Sequence, residues 1–369
     1  MNIGIDGNEA NVDNHVGVSV YTLELLKHYA KMKRSDITFT IFLRDEPKKC
    51  MPKEHDQFTY EVVPAKILWT QIFLPYHLLF RNDIDVFFAP AHYSPRFMRQ
   101  PLIVTIHDLS YKYFPKEFLK KDLYKLENWS NYSIMKAKKI IAVSKTTKKD
   151  ILTQFCLNDK DIHVVYNGFS KTKTHNEKTD DVLKKYDLRT KKYVLFVGTL
   201  QPRKNIPILI ESFHEFRKLH PEFKLVLVGK KGWMFDSIFT KVQELNLEDR
   251  VVFPGFVSDD ALSNLYQNAF CFVLPSLYEG FGIPLLESMS NGCPVITSYA
   301  SSLPEIGGEA CLYFDPHDIH DLLEKLEKLF TDKKLYTTLI ASGKKRVHEF
   351  SWDKCAEETL DVIQSICQV

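Results

Sequence analysis

No two of the seven cysteines in this 369-residue chain stand in CxxC spacing, and their number is odd. Cys271 lies inside the apolar run 270-FCFVLPS-276, where cysteine behaves as a small hydrophobe. The pattern argues against a disulfide framework and a zinc site and suits a reducing compartment. Long apolar runs are also missing. The most lipid-like stretch, 67-ILWTQIFLPYHLLF-80, is broken by Gln71, Pro75 and His77, well short of the ~20 apolar residues that span a bilayer. The first residues, 1-MNIGIDG-7, already read as a strand, so no signal peptide is expected. These features predict a soluble cytoplasmic protein, peripheral on the inner face of a membrane at most. A net charge of +2 implies no nucleic-acid partner. There is no short repeat, no low-complexity tract and no compositional sign of disorder.

What is present is β-α alternation, twice. Strand-like runs occur at 2–7, 37–43, 84–91, 101–108, 139–144 and 162–168, with a helical pattern over 18–31 carrying Tyr21, Leu25, Leu26 and Tyr29. A polar stretch, 170-SKTKTHNEKTDD-181, has no aliphatic residue and reads as a linker. Strands then resume at 193–198, 224–229, 251–255, 270–275, 294–298 and 311–314, separated by helical patterns over 206–220, 236–246, 259–269 and 284–290. Most of the strands are apolar throughout, as in parallel sheets covered on both faces. The expected organisation is α/β: two doubly wound, Rossmann-like domains facing a central cleft. They cover residues 1–170 and 193–350, joined by a linker at 171–192. A helix over 351–369, capped by Ser351, is expected to pack back on a domain surface.

Beyond the strand 270–275 lies 279-EGFGIPLLE-287, two carboxylates around a glycine-rich loop. Gly280 and Gly282 allow positive φ or close approach of a ligand. Pro284 suits the first helical position, with Glu287 in the first turn. Backbone N–H groups around Phe281–Leu285 would then face an anion, and the two acids would reach hydroxyls on either side of it. Glycines common to βα turns, and a glutamate favoured by the helix dipole, give a purely structural account of the same residues.

The stretch resembles the E-x7-E motif of glycosyltransferase family 4, retaining enzymes of the GT-B fold. The segment 196-FVGTLQPRKNI-206 resembles the family's phosphate-binding loop, and 292-GCPVITSYASSLPEIGGEACLYFDP-316 its G-x-P-V…PE…G…P run. In the first half, 104-VTIHD-108, 139-KIIAVSK-145 and 165-VYNG-168 follow in the expected order. The resemblance implies that the second domain holds a nucleoside-diphosphate sugar, GDP- or UDP-linked, as substrate, and that the first supplies the acceptor side. Lys204 and Arg203 would pair with the diphosphate and Glu287 with the ribose. Glu279 would face the transferred sugar, beside the N–H groups of Phe281, Gly282 and Ile283. Val257 would contact the base, Gly17 the diphosphate, and His107 the donor sugar. Many members carry an arginine five residues before the phosphate-binding lysine. Thr199 stands there instead, and Arg203 is the nearest replacement unless it faces solvent. Mannosyl- or rhamnosyl-type transfer to a glycan or lipid-linked acceptor is implied, with retention by front-face attack and no cofactor or metal.

Other readings remain open at this point. The pair 83-DID-85 could ligate a cation in the other glycosyltransferase architecture. A sugar-nucleotide epimerase would need no acceptor, and a non-catalytic nucleotide-sugar-binding protein would not turn over. Between Tyr111 and Asp150, eleven lysines face four acids. The run 116-KEFLKKDLYKLENW-129 mixes them with apolar residues, as an interfacial helix on an anionic membrane would, although a buried helix explains the same apolar residues.

Overall fold

The computed structural model describes residues 1–32, 34–170, 179–232 and 234–366. The chain divides into two compact units. One comprises Met1–Pro115, Leu119–Gly168 and Phe350–Val369; the other comprises Lys116–Phe118 and Phe169–Glu349.

The first unit is built on seven parallel strands: β1 (Asn2–Asp6), β2 (Thr38–Leu43), β3 (Phe58–Val62), β4 (Val86–Ala89), β5 (Leu102–Ile106), β6 (Lys139–Ala142) and β7 (Ile162–Val164). Their order is β3-β2-β1-β4-β5-β6-β7. β4 and β5 are buried at every position, so their unbroken apolar runs are covered on both faces. β3 is absent from the sequence expectation. As an edge strand it buries only Phe58 and exposes Thr59, so it never presents a continuous apolar run.

The second unit has six parallel strands: β8 (Tyr193–Val197), β9 (Lys224–Val228), β10 (Val251–Gly255), β11 (Cys271–Leu274), β12 (Val295–Ser298) and β13 (Cys311–Phe314). Their order is β10-β9-β8-β11-β12-β13. The helices Leu303–Gly307, Ile319–Thr331 and Lys333–Val347 add to those expected. Asp318 caps the second of these, accepting from the His320 and Asp321 N–H groups, and Leu322, Leu326 and Leu329 form its buried stripe. Most of the polar stretch read as a linker, residues 171–178, lies outside the described residues; a helix at Thr179–Lys185 precedes β8.

The C-terminal helix Trp352–Gln364 returns to the first unit. Trp352, Cys355, Ala356, Thr359, Leu360 and Ile363 recur at three- and four-residue spacing and are all buried. They pack on the helix Val18–Tyr29, where Tyr21 lies 6.2 Å from Trp352, centroid to centroid. A Cβ on Gly168 would fall 2.5 Å from the Trp352 Cα, so only glycine lets the chain pass there. Among the described residues, no helix is long and apolar enough to cross a membrane.

Candidate active site

In the second sheet the strand order reverses between β8 and β11. Loops leaving the carboxyl ends of two such strands diverge and open a crevice, where α/β sheets bind ligands. The loop after β8 carries Arg203 and Lys204 in a short helical turn, ended by Asn205 in the left-handed region at φ 53°. The loop after β11 carries Glu279. The Leu277 N–H donates to the Arg203 carbonyl at 2.9 Å and ties the two loops together.

Their side chains meet. The Lys204 ammonium lies 2.5 Å from Glu279 Oε1, and the Arg203 guanidinium lies 3.6 Å from Oε2. Arg203 also donates to the Tyr278 carbonyl at 2.7 Å. Its side chain is 14% exposed, so it faces the loop and not solvent. Ser276 Oγ donates to Glu279 Oε1 at 2.6 Å. The Ser301 and Ser302 hydroxyls both donate to the Glu279 carbonyl at 2.8 Å, and Ser302 reaches the Phe281 carbonyl at 3.0 Å. Burial by itself would raise the Glu279 carboxyl. The Lys204 and Arg203 charges, with hydrogen bonds from Lys204 and Ser276, outweigh it and hold the group below its ordinary value. Arg203 also lies beside the Glu117 carboxyl, which burial raises against the pull of Arg203, so the cluster sets two cations against Glu279 and Glu117.

Gly282 caps the next helix at φ 104°, and a Cβ there would meet Leu303 Cδ2 at 2.9 Å. Because Gly282 is the cap, the helix begins at Ile283, and Pro284 is its second residue. Glu287 is consequently the fifth helical residue, and no acid stands in the first turn. The expected first-turn position is corrected, and the dipole account of Glu287 falls with it. Glu287 instead accepts from the Tyr266 hydroxyl at 2.9 Å. Burial is the main cause of its raised carboxyl, Tyr266 opposes it, and Asp259 adds to it. The Leu285 N–H is used within the helix, donating to the Gly282 carbonyl at 3.0 Å. The Val257 side chain is buried just after β10, while Phe256 beside it is exposed.

His107 and Gly17 belong to the first unit. Gly17, at φ 54°, caps the helix Val18–Tyr29. His107 follows β5. Its Nε2 lies 2.8 Å from the Pro90 carbonyl, which can only accept, so the ring proton sits on Nε2 and Nδ1 is left as the acceptor. Tyr21 meets the ring edge-on at 4.8 Å and His92 at 5.3 Å. Burial, and then the neighbouring His92, push His107 down to about 3, so the imidazole is neutral at physiological pH.

The structure therefore joins Arg203, Lys204 and Glu279 in one network and gives Glu287 a partner of its own. The sequence reading missed Ser276, Ser301, Ser302 and Tyr266, which hold the two glutamates. Nothing in the spacing of Tyr266 and Glu287 marks them as partners. Asp6, which ends β1, was also missed: burial, with Glu9 nearby, pushes its carboxyl up to about 7 despite a hydrogen bond from the Asn8 N–H. The acids of 83-DID-85 lie at the opposite end of β4 from the ligand-binding edge. Asp83 pairs with Arg81 at 2.6 Å, and Asp85 accepts from the Asn2 N–H at 2.7 Å.

Comparison with known proteins identifies the family and the fold. A model of glycosyl transferases group 1 matches residues 178–346, and one of glycosyltransferase family 4 matches residues 16–172. The chain belongs to the family-4 glycosyltransferases and is a glycosyltransferase of the GT-B fold. It is 31% identical over 284 residues to an O-antigen chain mannosyltransferase B of Escherichia coli, covering 75% of this chain and 73% of that protein. It is also 31% identical to the glycosyltransferase MJ1607 of Methanocaldococcus jannaschii, over 66% of this chain and 63% of the relative. Among solved structures it resembles a sucrose-phosphate synthase from Thermosynechococcus elongatus (TM-score 0.76, 20% identity, 100% and 99% of the two chains). Anabaena Alr3699/HepE, solved in complex with UDP-glucose, gives a TM-score of 0.75 at 17% identity, over 100% of this chain and 99% of that one.

Proposed function

We propose that this chain transfers mannose, with retention, from a nucleoside-diphosphate sugar to a hydroxyl of a glycan or lipid-linked acceptor, without a metal ion. The observation that carries the reading is the Lys204–Glu279–Arg203 cluster at the switch point of the second sheet. The donor diphosphate takes Lys204 and Arg203, whose positive charge stabilises the negative charge growing on the leaving group as the glycosidic bond breaks. Glu279, released from part of its ion pairing, accepts hydroxyls of the transferred sugar, with the N–H groups of Phe281, Gly282 and Ile283 on neighbouring oxygens. Glu287 accepts the ribose hydroxyls, and the backbone at Val257 lines the base.

The first unit supplies the acceptor side at its own switch point, between β1 and β4, where Asp6 and His92 follow the two strands. His107, neutral and with Nδ1 as acceptor, takes a hydrogen bond from a donor-sugar hydroxyl, and Gly17 brings backbone to the diphosphate. The leaving phosphate oxygen receives the acceptor proton, so no side chain is assigned as base. Mannose is favoured because the E. coli relative is named a mannosyltransferase. The setting is cytoplasmic, with peripheral membrane contact where the acceptor is lipid-linked.

The test is release of nucleoside diphosphate from a panel of GDP- and UDP-sugars, with and without glycan acceptors, in the presence of chelator. Acceptor-dependent release from GDP-mannose that survives chelation is expected. Conversion of the donor without an acceptor would indicate an epimerase, and activity abolished by chelator and restored by Mg²⁺ would refute metal independence.

A further inference from the structure

One tyrosine of the first unit touches three elements around His107. Tyr21 stands one turn into the helix Val18–Tyr29, and its N–H donates to the carbonyl of the cap residue Gly17 at 3.1 Å. Its hydroxyl lies 3.2 Å from Thr105 Oγ1. Thr105 belongs to β5 and precedes His107 by two residues. The Tyr21 ring stands against the His107 imidazole at 4.8 Å with the planes 85° apart. On another side it meets Trp352 of the C-terminal helix at 6.2 Å. Tyr21 is 1% exposed and Thr105 is fully buried, so no water competes for these contacts.

A leucine would fill a helix–sheet interface without needing a partner for a hydroxyl, whereas a buried tyrosine must find one. Here the partner lies on the strand that carries His107, so ring and hydroxyl brace the same segment. Thr105 also accepts the His92 N–H at its carbonyl, at 3.2 Å, and His92 flanks the imidazole at 5.3 Å. Burial, with Cys355 nearby, raises the Tyr21 hydroxyl well above its ordinary value, so Tyr21 stays neutral and moves no proton. What it offers His107 is geometry. The Cβ bond and the hydrogen bond from Nε2 to the Pro90 carbonyl fix an axis through the imidazole, about which Nδ1 can still swing. A second ring set nearly at right angles to the first closes that motion.

We propose that Tyr21 is the positioning residue for His107: it locks the imidazole with Nδ1 presented as an acceptor, and the C-terminal helix holds Tyr21 in place through Trp352. The inference rests on the role given to His107 under the proposed function, and Tyr21, buried as it is, acts through His107 and not on the substrate.

The experiment compares Tyr21→Leu and Tyr21→Phe with Leu25→Ala, a truncation one turn further along the same helix at a residue that is 1% exposed. Steady-state kinetics are read beside 15N spectra of the histidine rings, with His107 assigned by the loss of its signals in His107→Asn. The wild type should show His107 as one neutral tautomer, protonated on Nε2. Tyr21→Leu should give mixed tautomers and a kcat lower by about ten- to a hundredfold, the scale of a displaced contact group, while the Kd for nucleoside diphosphate stays within about twofold. Tyr21→Phe keeps the ring and should retain the single tautomer and most of kcat. Leu25→Ala should melt at a lower temperature with tautomer and kcat unchanged. If Tyr21→Leu does not fold, Tyr21→Met, which puts a flexible chain where the ring stood, reads the same quantities. A wild-type tautomer and kcat in either substitution overturns the proposal, as does a loss of kcat that Leu25→Ala reproduces at equal loss of stability. Mixed tautomers with unchanged kcat would support the positioning and count against the role given to His107, so the two readings fail separately.

Discussion

Replacing Glu279 by glutamine removes the carboxylate that ion-pairs with both Lys204 and Arg203. The side chain is 11% exposed, with the Lys204 ammonium at 2.5 Å and the Arg203 guanidinium at 3.6 Å. Removing one member of a buried ion pair typically costs ~3–5 kcal/mol, because the partner is left uncompensated. Glutamine keeps an acceptor for Ser276, so the lower part of that range, about 3–4 kcal/mol, is expected for the ligand-free protein. For a unit of this size each kcal/mol moves the melting temperature by ~2–4 °C, giving a fall of roughly 6–16 °C. The same change frees Lys204 and Arg203 for phosphate. Nucleoside diphosphate at about a hundred times the wild-type Kd should therefore stabilise the variant by at least the ~2.7 kcal/mol that mass action gives the wild type. Turnover should fall while nucleotide affinity holds or rises. The effect is one of neutral pH: with the folded carboxyl below its ordinary value of 4.5, its contribution is complete above that value and is lost as pH falls through the lowered folded value. Differential scanning fluorimetry with and without nucleotide, beside steady-state kinetics, reads both quantities. A variant that melts with the wild type and binds nucleotide more weakly would refute the reasoning.

Arg203→Ala should weaken catalysis by about 2–4 kcal/mol in kcat/KM, the scale of one lost transition-state donor, and Arg203→Lys should recover only part, since lysine cannot engage two phosphate oxygens. Near-wild-type kinetics in Arg203→Ala would mean that the residue only braces the Tyr278 carbonyl. Glu287→Gln should raise the dissociation constant for nucleoside diphosphate with little change in kcat, because a ribose contact persists from ground to transition state; isothermal titration against kinetics separates the two. His107 and Asp6 should act on acid stability in opposite directions. The depressed imidazole contributes stability that is present above about 6.5 and lost as pH falls toward 3, so His107→Asn should flatten the acid-side decline. The raised Asp6 carboxyl contributes stability that is present below about 3.8 and lost as pH rises toward 7, so Asp6→Asn should remove a loss on the neutral side. Urea denaturation between pH 4 and 7.5 checks both.

The sequence by itself determined a good deal. Unbroken apolar runs announced the buried parallel strands, because a strand covered on both faces has no polar side to alternate with. The inner strands β8, β9, β11 and β12 of the second sheet were legible for that reason. The glycines and proline around residue 280 marked a turn at a strand's carboxyl end, and a carboxylate flanking it could be picked out from residue type alone. β3 was not legible, because an edge strand that buries one residue in five leaves no run to read. Tertiary structure alone decided the rest. Glu279 and Lys204 are 75 residues apart in the chain, and only the adjacency of β8 and β11 closes that distance to a hydrogen bond. The helix starts at Ile283, after Gly282 at φ 104°, which leaves Glu287 beyond the first turn, and only the fold brings the Tyr266 hydroxyl to it. His107 was placed by its motif, but its charge state was not. Burial, His92 and the Pro90 carbonyl make it neutral, and those neighbours are assembled by the fold.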